Sequence, residues 1–169
     1  MTQKEFISIL KEKKYTYKIE GDKVIVTRKG VVYLRSLTSL PPGVEFKNGG
    51  DVYLDSLTSL PPGVEFNNSG NVDLLSLTSL PSDVVFKNEG KVLLYSLTSL
   101  PPGMEFRNRW SVHFNSLTLT SIPPDVKFRD GGNIYFRALG GWFDEWKGNI
   151  EGIDSNRLLN MMIKKGLFK

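Results

Sequence analysis

Val44-Glu45-Phe46-Lys47-Asn48-Gly49-Gly50-Asp51-Val52-Tyr53-Leu54-Asp55-Ser56-Leu57-Thr58-Ser59-Leu60-Pro61-Pro62-Gly63 is one complete period of this chain, and Val64 begins the next. The phrase SLTSLPPG starts at Ser36 and Ser56, returns as SLTSLPSD from Ser76 and SLTSLPPG from Ser96, and becomes SLTLTSIPPD from Ser116. The spacing is 20 residues until the insertion Leu119-Thr120. Self-similarity at such a period marks a solenoid, because one unit is too small to bury its own apolar face and must stack on its neighbours.

Within the period, Val44 and Phe46 alternate with Glu45 and Lys47, and Val52 and Leu54 alternate with Tyr53 and Asp55. Alternation of period two predicts two short strands, each with one face inward. Leu57 and Leu60 follow at three-residue spacing, and Pro61-Pro62-Gly63 closes the coil as a turn, since proline has no N–H for a strand ladder. Six apolar side chains per coil point inward, at roughly 1.5–3 kcal/mol apiece before entropy is subtracted. Asn48, Asn68, Asn88 and Asn108 form a polar column, and Thr38, Thr58, Thr78 and Thr98 form another. Short polar side chains at such positions satisfy nearby backbone groups, and stacked asparagines can bond along the rod. Gly49-Gly50-Asp51 and Asp130-Gly131-Gly132 also suggest a calcium-binding turn, but the carboxylates do not repeat in step, so no metal site is expected.

Outside the repeats the chain reads as two caps. Thr2 and Glu5 have capping-box spacing ahead of Phe6, Ile9 and Leu10, which predicts a helix over residues 3–13, followed by a hairpin turning at residues 20–23. Beyond Ala138, Trp142, Phe143 and Trp146 supply an apolar lid, and a helix is expected from Asp154 or Ser155 to Lys165. The expected organisation is a single domain, 1–169, with an N-terminal cap over 1–23, a solenoid over 24–137 and a C-terminal cap over 138–169.

Charge and composition narrow the function. Lys and Arg total 22 against 18 Asp and Glu, for a net charge of +4. Residues 1–30 hold eight basic against four acidic residues, the repeats over 31–137 nine against ten, and residues 138–169 five against four. A reader of phosphates along a solenoid groove would carry its basic residues on the repeats, and this chain does not. Cysteine is absent, no apolar run reaches the length of a membrane span, and the first residues do not form a signal peptide, so a cytoplasmic location is expected. His113 is the sole histidine, no Ser-His-Asp set or phosphate-cradling loop is present, and neither catalysis nor a cofactor is expected.

Variation between copies points to the working surface. Inward positions scarcely change, whereas the outward positions of the second strand read Tyr33/Arg35, Tyr53/Asp55, Asp73/Leu75, Leu93/Tyr95, His113/Asn115 and Tyr135/Arg137. They lie on one sheet face if the coils stack in register. Such variation is either unconstrained drift or a binding surface, and Tyr and Arg are frequent interface anchors. Arg109-Trp110 breaks the small-residue turn pattern and could place an anchor at the edge of that face.

Val52-x-Leu54-x-x-Leu57-x-x-Leu60-Pro61 resembles the leucine-rich repeat, particularly its short bacterial forms, over residues 24–137. Leu57, Leu77 and Leu97 stand where that family places Asn or Cys. The whole layout, with Trp146-Lys147-Gly148-Asn149-Ile150 and Arg157-Leu158-Leu159-Asn160, is similar to repeat proteins of bacteria and their phages. The resemblance implies a mainly β, right-handed, leucine-rich-repeat-like β-solenoid of about six coils, and a protein-binding scaffold without shared chemistry. The expectation is therefore a non-enzymatic interaction module, with blocking of a host defence complex as one concrete role. Competing expectations are a nucleic-acid or ribonucleoprotein binder using Lys11, Lys13, Lys14, Lys87, Arg107 and Arg129, and a carbohydrate binder on the tyrosine face.

Overall fold

The computed structural model describes residues 1–115, 123, 125–128, 134–138 and 141–143. Helix α1 (Gln3–Glu12) opens the chain. Its N-cap is Thr2, whose hydroxyl accepts from the Glu5 N–H while the Glu5 carboxylate accepts from the Thr2 N–H, the reciprocal box foreseen from the sequence. Among the described residues fourteen strands follow: β1 (Tyr17–Glu20), β2 (Lys23–Val26), β3 (Val32–Tyr33), β4 (Val44–Phe46), β5 (Val52–Tyr53), β6 (Glu65–Phe66), β7 (Val72–Asp73), β8 (Val85–Phe86), β9 (Val92–Leu94), β10 (Glu105–Phe106), β11 (Val112–Asn115), β12 (Lys127–Phe128), β13 (Ile134–Ala138) and β14 (Gly141–Phe143).

These strands form two seven-stranded sheets. One, sheet A, runs β1-β2-β4-β6-β8-β10-β12, and the other, sheet B, runs β3-β5-β7-β9-β11-β13-β14. From β2 to β13 every neighbour is parallel and comes from the adjacent coil, so the chain is a β-solenoid, with six strand pairs among the described residues. Val24 sits beside Val44, Phe46 beside Phe66, and Val52 beside Val72, so the 20-residue register seen in the sequence is the register of the ladders. In the last coil the partners are Glu105 with Lys127 and Val112 with Ile134, a step two residues longer. The pairing therefore survives the Leu119-Thr120 insertion. The two antiparallel strands stand at opposite ends, β1 against β2 and β14 against β13. The expected C-terminal helix lies outside the described residues. No helix among the described residues is long and apolar enough to cross a membrane.

The core is a set of columns. Val44, Phe46, Val52, Leu54, Leu57 and Leu60 are all buried, and their equivalents in neighbouring coils join them in one cluster, closed by Phe6 and Leu10 of α1. Phe46, Phe66, Phe86, Phe106 and Phe128 stack with centroids 5.0–5.4 Å apart and near-parallel planes. This spacing follows the separation of adjacent strands in a ladder, about 4.8 Å, so backbone pairing sets the ring stacking.

The asparagine column is also structural, with a geometry different from side chain bonding to side chain. Asn68 Nδ2 donates back to the carbonyl of Gly50 in the preceding coil at 2.9 Å and to Gly70 and Asn71 in its own turn at 3.0 and 3.2 Å. Asn48 and Asn108 repeat the three-carbonyl pattern, and Asn88 donates to Gly70 and Lys91. Each asparagine thus ties the corner of its coil to the one before it. The threonine column does the same on the other side, with the hydroxyls of Thr78 and Thr98 donating to the carbonyls of Thr58 and Thr78.

Glycine is required where coils approach most closely. A Cβ at Gly90 would lie 2.4 Å from the Gly70 carbonyl carbon and 2.6 Å from the Asn71 nitrogen, leaving no room for a side chain.

Candidate binding face

The outward positions of sheet B come together as the register requires. Tyr33, Tyr53, Asp73, Leu93, His113 and Tyr135 occupy successive rungs of one column. Arg35, Asp55, Leu75, Tyr95, Asn115 and Arg137 fall two residues further along each coil, and Asn115 pairs directly with Arg137. Burial differs along this face. Tyr33 is half exposed and Arg35 is exposed, whereas Tyr53, Asp55, Asp73, Leu75, Leu93 and Tyr95 are partly buried by their neighbours.

At its N-terminal end the face is ordered before any partner arrives. The Tyr33 and Tyr53 rings stack at 5.3 Å with an interplanar angle of 2°. The Arg35 guanidinium lies over Tyr53 at 4.2 Å, and its Nε contacts Asp55 Oδ2 at 3.2 Å. Tyr53 Oη donates to Asp51 Oδ2 at 3.2 Å, while Asp51 Oδ1 accepts from the Asn71 N–H at 2.7 Å. Both Asp51 oxygens are therefore engaged by the protein itself, which gives this residue of the Gly49-Gly50-Asp51 turn a structural task. Burial, reinforced by Asp51, raises the Tyr53 hydroxyl above its usual range. Asp73 is pushed up to about 6 by burial and by the charges of Asp55 and Asp51, with Arg35 opposing them.

The C-terminal end differs from the expectation of an open column. His113 is 6% exposed and belongs to the protein interior. Its ring stacks on Tyr135 at 4.7 Å, Tyr95 meets its edge at 6.5 Å, and its Nε2 lies 2.7 Å from Ser111 Oγ. Two aromatic neighbours on adjacent rungs cover a position that alternation alone marks as outward. Burial, with Lys91 nearby, pushes the imidazole down to about 4. His113 is accordingly a mostly buried, neutral ring at a position that strand alternation marks as outward. Arg109 is tied loosely to Glu89 at 3.1 Å, both ends exposed. Trp110 remains 58% exposed in the turn before β11. The Arg137 side chain lies outside the described residues.

Asp73 and His113 make opposing contributions to stability against pH. The Asp73 carboxyl holds its proton more tightly in the folded chain, about 6 against 3.8, so its contribution is full below pH 4 and is withdrawn as pH rises through 6. The His113 ring resists protonation in the folded chain, about 4 against 6.5, so its contribution is present above pH 6.5 and is lost as pH falls towards 4. Asp73→Asn should leave a variant that weakens on acidification between pH 6.5 and 4 relative to the parent, and His113→Phe one that strengthens. Urea midpoints at pH 4.5 and 7.5 measure both slopes, and identical pH dependence in the parent and Asp73→Asn would refute the assignment.

The basic residues of the competing reading that the structure describes do not share this face. Lys11, Lys13 and Lys14 stand at the end of α1, whereas Lys87 and Arg107 flank β8 and β10 on sheet A, where Arg107 Nε donates to Glu105 at 2.8 Å. Arg129 lies outside the described residues. A hollow of about 220 Å³ on sheet A is lined by Asp83, Glu105, Lys87 and Arg107, acids and bases in equal number. Comparison of the chain with protein-family models, curated proteins and solved structures gives no match.

Proposed function

We propose that this protein is a non-enzymatic interaction scaffold that docks a protein partner on the outward face of sheet B, with Trp110 at its edge. The observation that carries this reading is the Tyr33–Tyr53–Arg35 stack, held on parallel strands and partly open to solvent. Aromatic and guanidinium groups contribute most when they are already immobile, because little rotamer entropy remains to be lost on association. The resemblance to leucine-rich repeats supports the same class of function, and the resemblance to phage repeat proteins supports a partner within a host defence complex.

The reading is tested by affinity capture from the native host with Tyr33→Ala and Tyr53→Ala. Each substitution should weaken the captured complex by about 2 kcal/mol, roughly 30-fold. An unchanged affinity in the double variant would remove sheet B as the docking face. Binding that collapses between low and moderate salt would point to phosphate recognition instead.

A further inference from the structure

The edges of the two sheets at the N-terminal end are finished differently. On sheet B the terminal strand is β3, and its edge is plugged: the Tyr33 N–H donates to Tyr15 Oη at 3.1 Å. On sheet A the terminal strand is β1, and no hydrogen bond among the described residues covers its outer side. Unprotected edges of this kind are templates for pairing with another strand.

The hydrogen-bond pattern identifies which groups are open. Val24 N–H donates to Gly43 and Val26 C=O accepts from Lys47, so both residues turn their backbone groups towards β4. Their partners across the hairpin are Ile19 and Tyr17. In an antiparallel pair, residues facing each other alternate between bonded and non-bonded, so Ile19 and Tyr17 direct their N–H and C=O groups away from β2. The bond from Thr27 N–H to Thr16 C=O at 2.9 Å agrees with this phase. Ile19 is also 54% exposed.

We infer that β1 pairs antiparallel with β1 of a second copy of this chain, about a two-fold axis through Ile19. The charges choose the register. With Ile19 opposite its own equivalent, the open N–H and C=O groups of the two Ile19 residues bond each other. Lys18 of each copy then faces Glu20 of the other, twice over. Both residues are exposed and point to the same side of β1, so the pairing is self-complementary. Shifting the register to place Tyr17 opposite Ile19 would set Lys18 against Lys18. The paired strands join two A sheets into one and leave both B faces free for partners.

Light scattering and sedimentation of the full chain from micromolar to submillimolar concentration test this. The parent should approach twice the 19.0 kDa chain mass as concentration rises. Ile19→Pro removes the one edge N–H at the axis without touching any bond to β2, and should stay folded by circular dichroism yet remain monomeric. Lys18→Glu and Glu20→Lys should each dimerise roughly tenfold more weakly alone, and an equimolar mixture of the two should recover the association. A parent that stays monomeric throughout, or an Ile19→Pro chain that dimerises like the parent, overturns the inference, as does a mixture no stronger than its components.

Discussion

Phe66→Ala is expected to lower the unfolding free energy by about 3–5 kcal/mol, the upper range for a single core truncation. The Phe66 ring is fully buried and is sandwiched between Phe46 at 5.4 Å and Phe86 at 5.1 Å. Truncation removes one ring's hydrophobic contribution and two ring faces together. Collapse of the cavity is opposed by the ladders, because closing the gap would require coils already at strand spacing to move nearer. In a solenoid the loss also weakens both interfaces of the affected coil, so the transition should broaden as well as shift. Trp110→Ala is the control and should cost less than about 0.5 kcal/mol, since the side chain is mainly exposed. Urea denaturation followed by circular dichroism measures both, and similar costs for the two would contradict the stacked core.

The second large effect belongs to Asn68. Asn68→Ala removes the donor shared by the carbonyls of Gly50, Gly70 and Asn71, each of which keeps one other donor in Asn48, Asn88 and the Val52 N–H respectively, so the cost is that of the bonds lost, roughly 0.5–1.5 kcal/mol for each. Asn68→Asp is nearly the same shape and should be worse, about 3–5 kcal/mol at pH 7, because a carboxylate then faces carbonyl oxygens in a site that is 1% exposed. Asn68 Oδ1 has no donor in the structure, so turning the group over offers no relief. The aspartate variant should regain stability at acidic pH, where its carboxyl can donate one hydrogen bond, and the alanine variant should not. An aspartate variant as stable as alanine at pH 7 would mean that the column is held by packing.

Much of this architecture was readable from residue order because it is local and repeated. Alternation at Val44/Phe46 and Val52/Leu54 assigned the strands, and the constant 20-residue step left one way to stack them. Thr2 and Glu5 marked the start of α1 by chemistry confined to four residues. The outward face was legible to the same extent: Tyr33, Tyr53 and Asp73 had to be neighbours once the register was known. The burial of His113 was not legible, since it depends on Tyr95 and Tyr135 from adjacent coils closing over a position whose own strand marks it as outward. The asparagine column was recognised without its bonding partners, because backbone carbonyls carry no sequence signature.

The sequence by itself determined that successive coils lie one upon another and which side chains fill the interior, since periodic polarity admits one consistent inward set. Only the tertiary structure decided how the equivalent positions differ. Tyr33 lies open at the end of its column, Asp73 sits among like charges, and His113 is sealed between aromatic rings. The physical reason is that exposure and charge environment depend on neighbours 20 residues away along the chain and one strand spacing away in space.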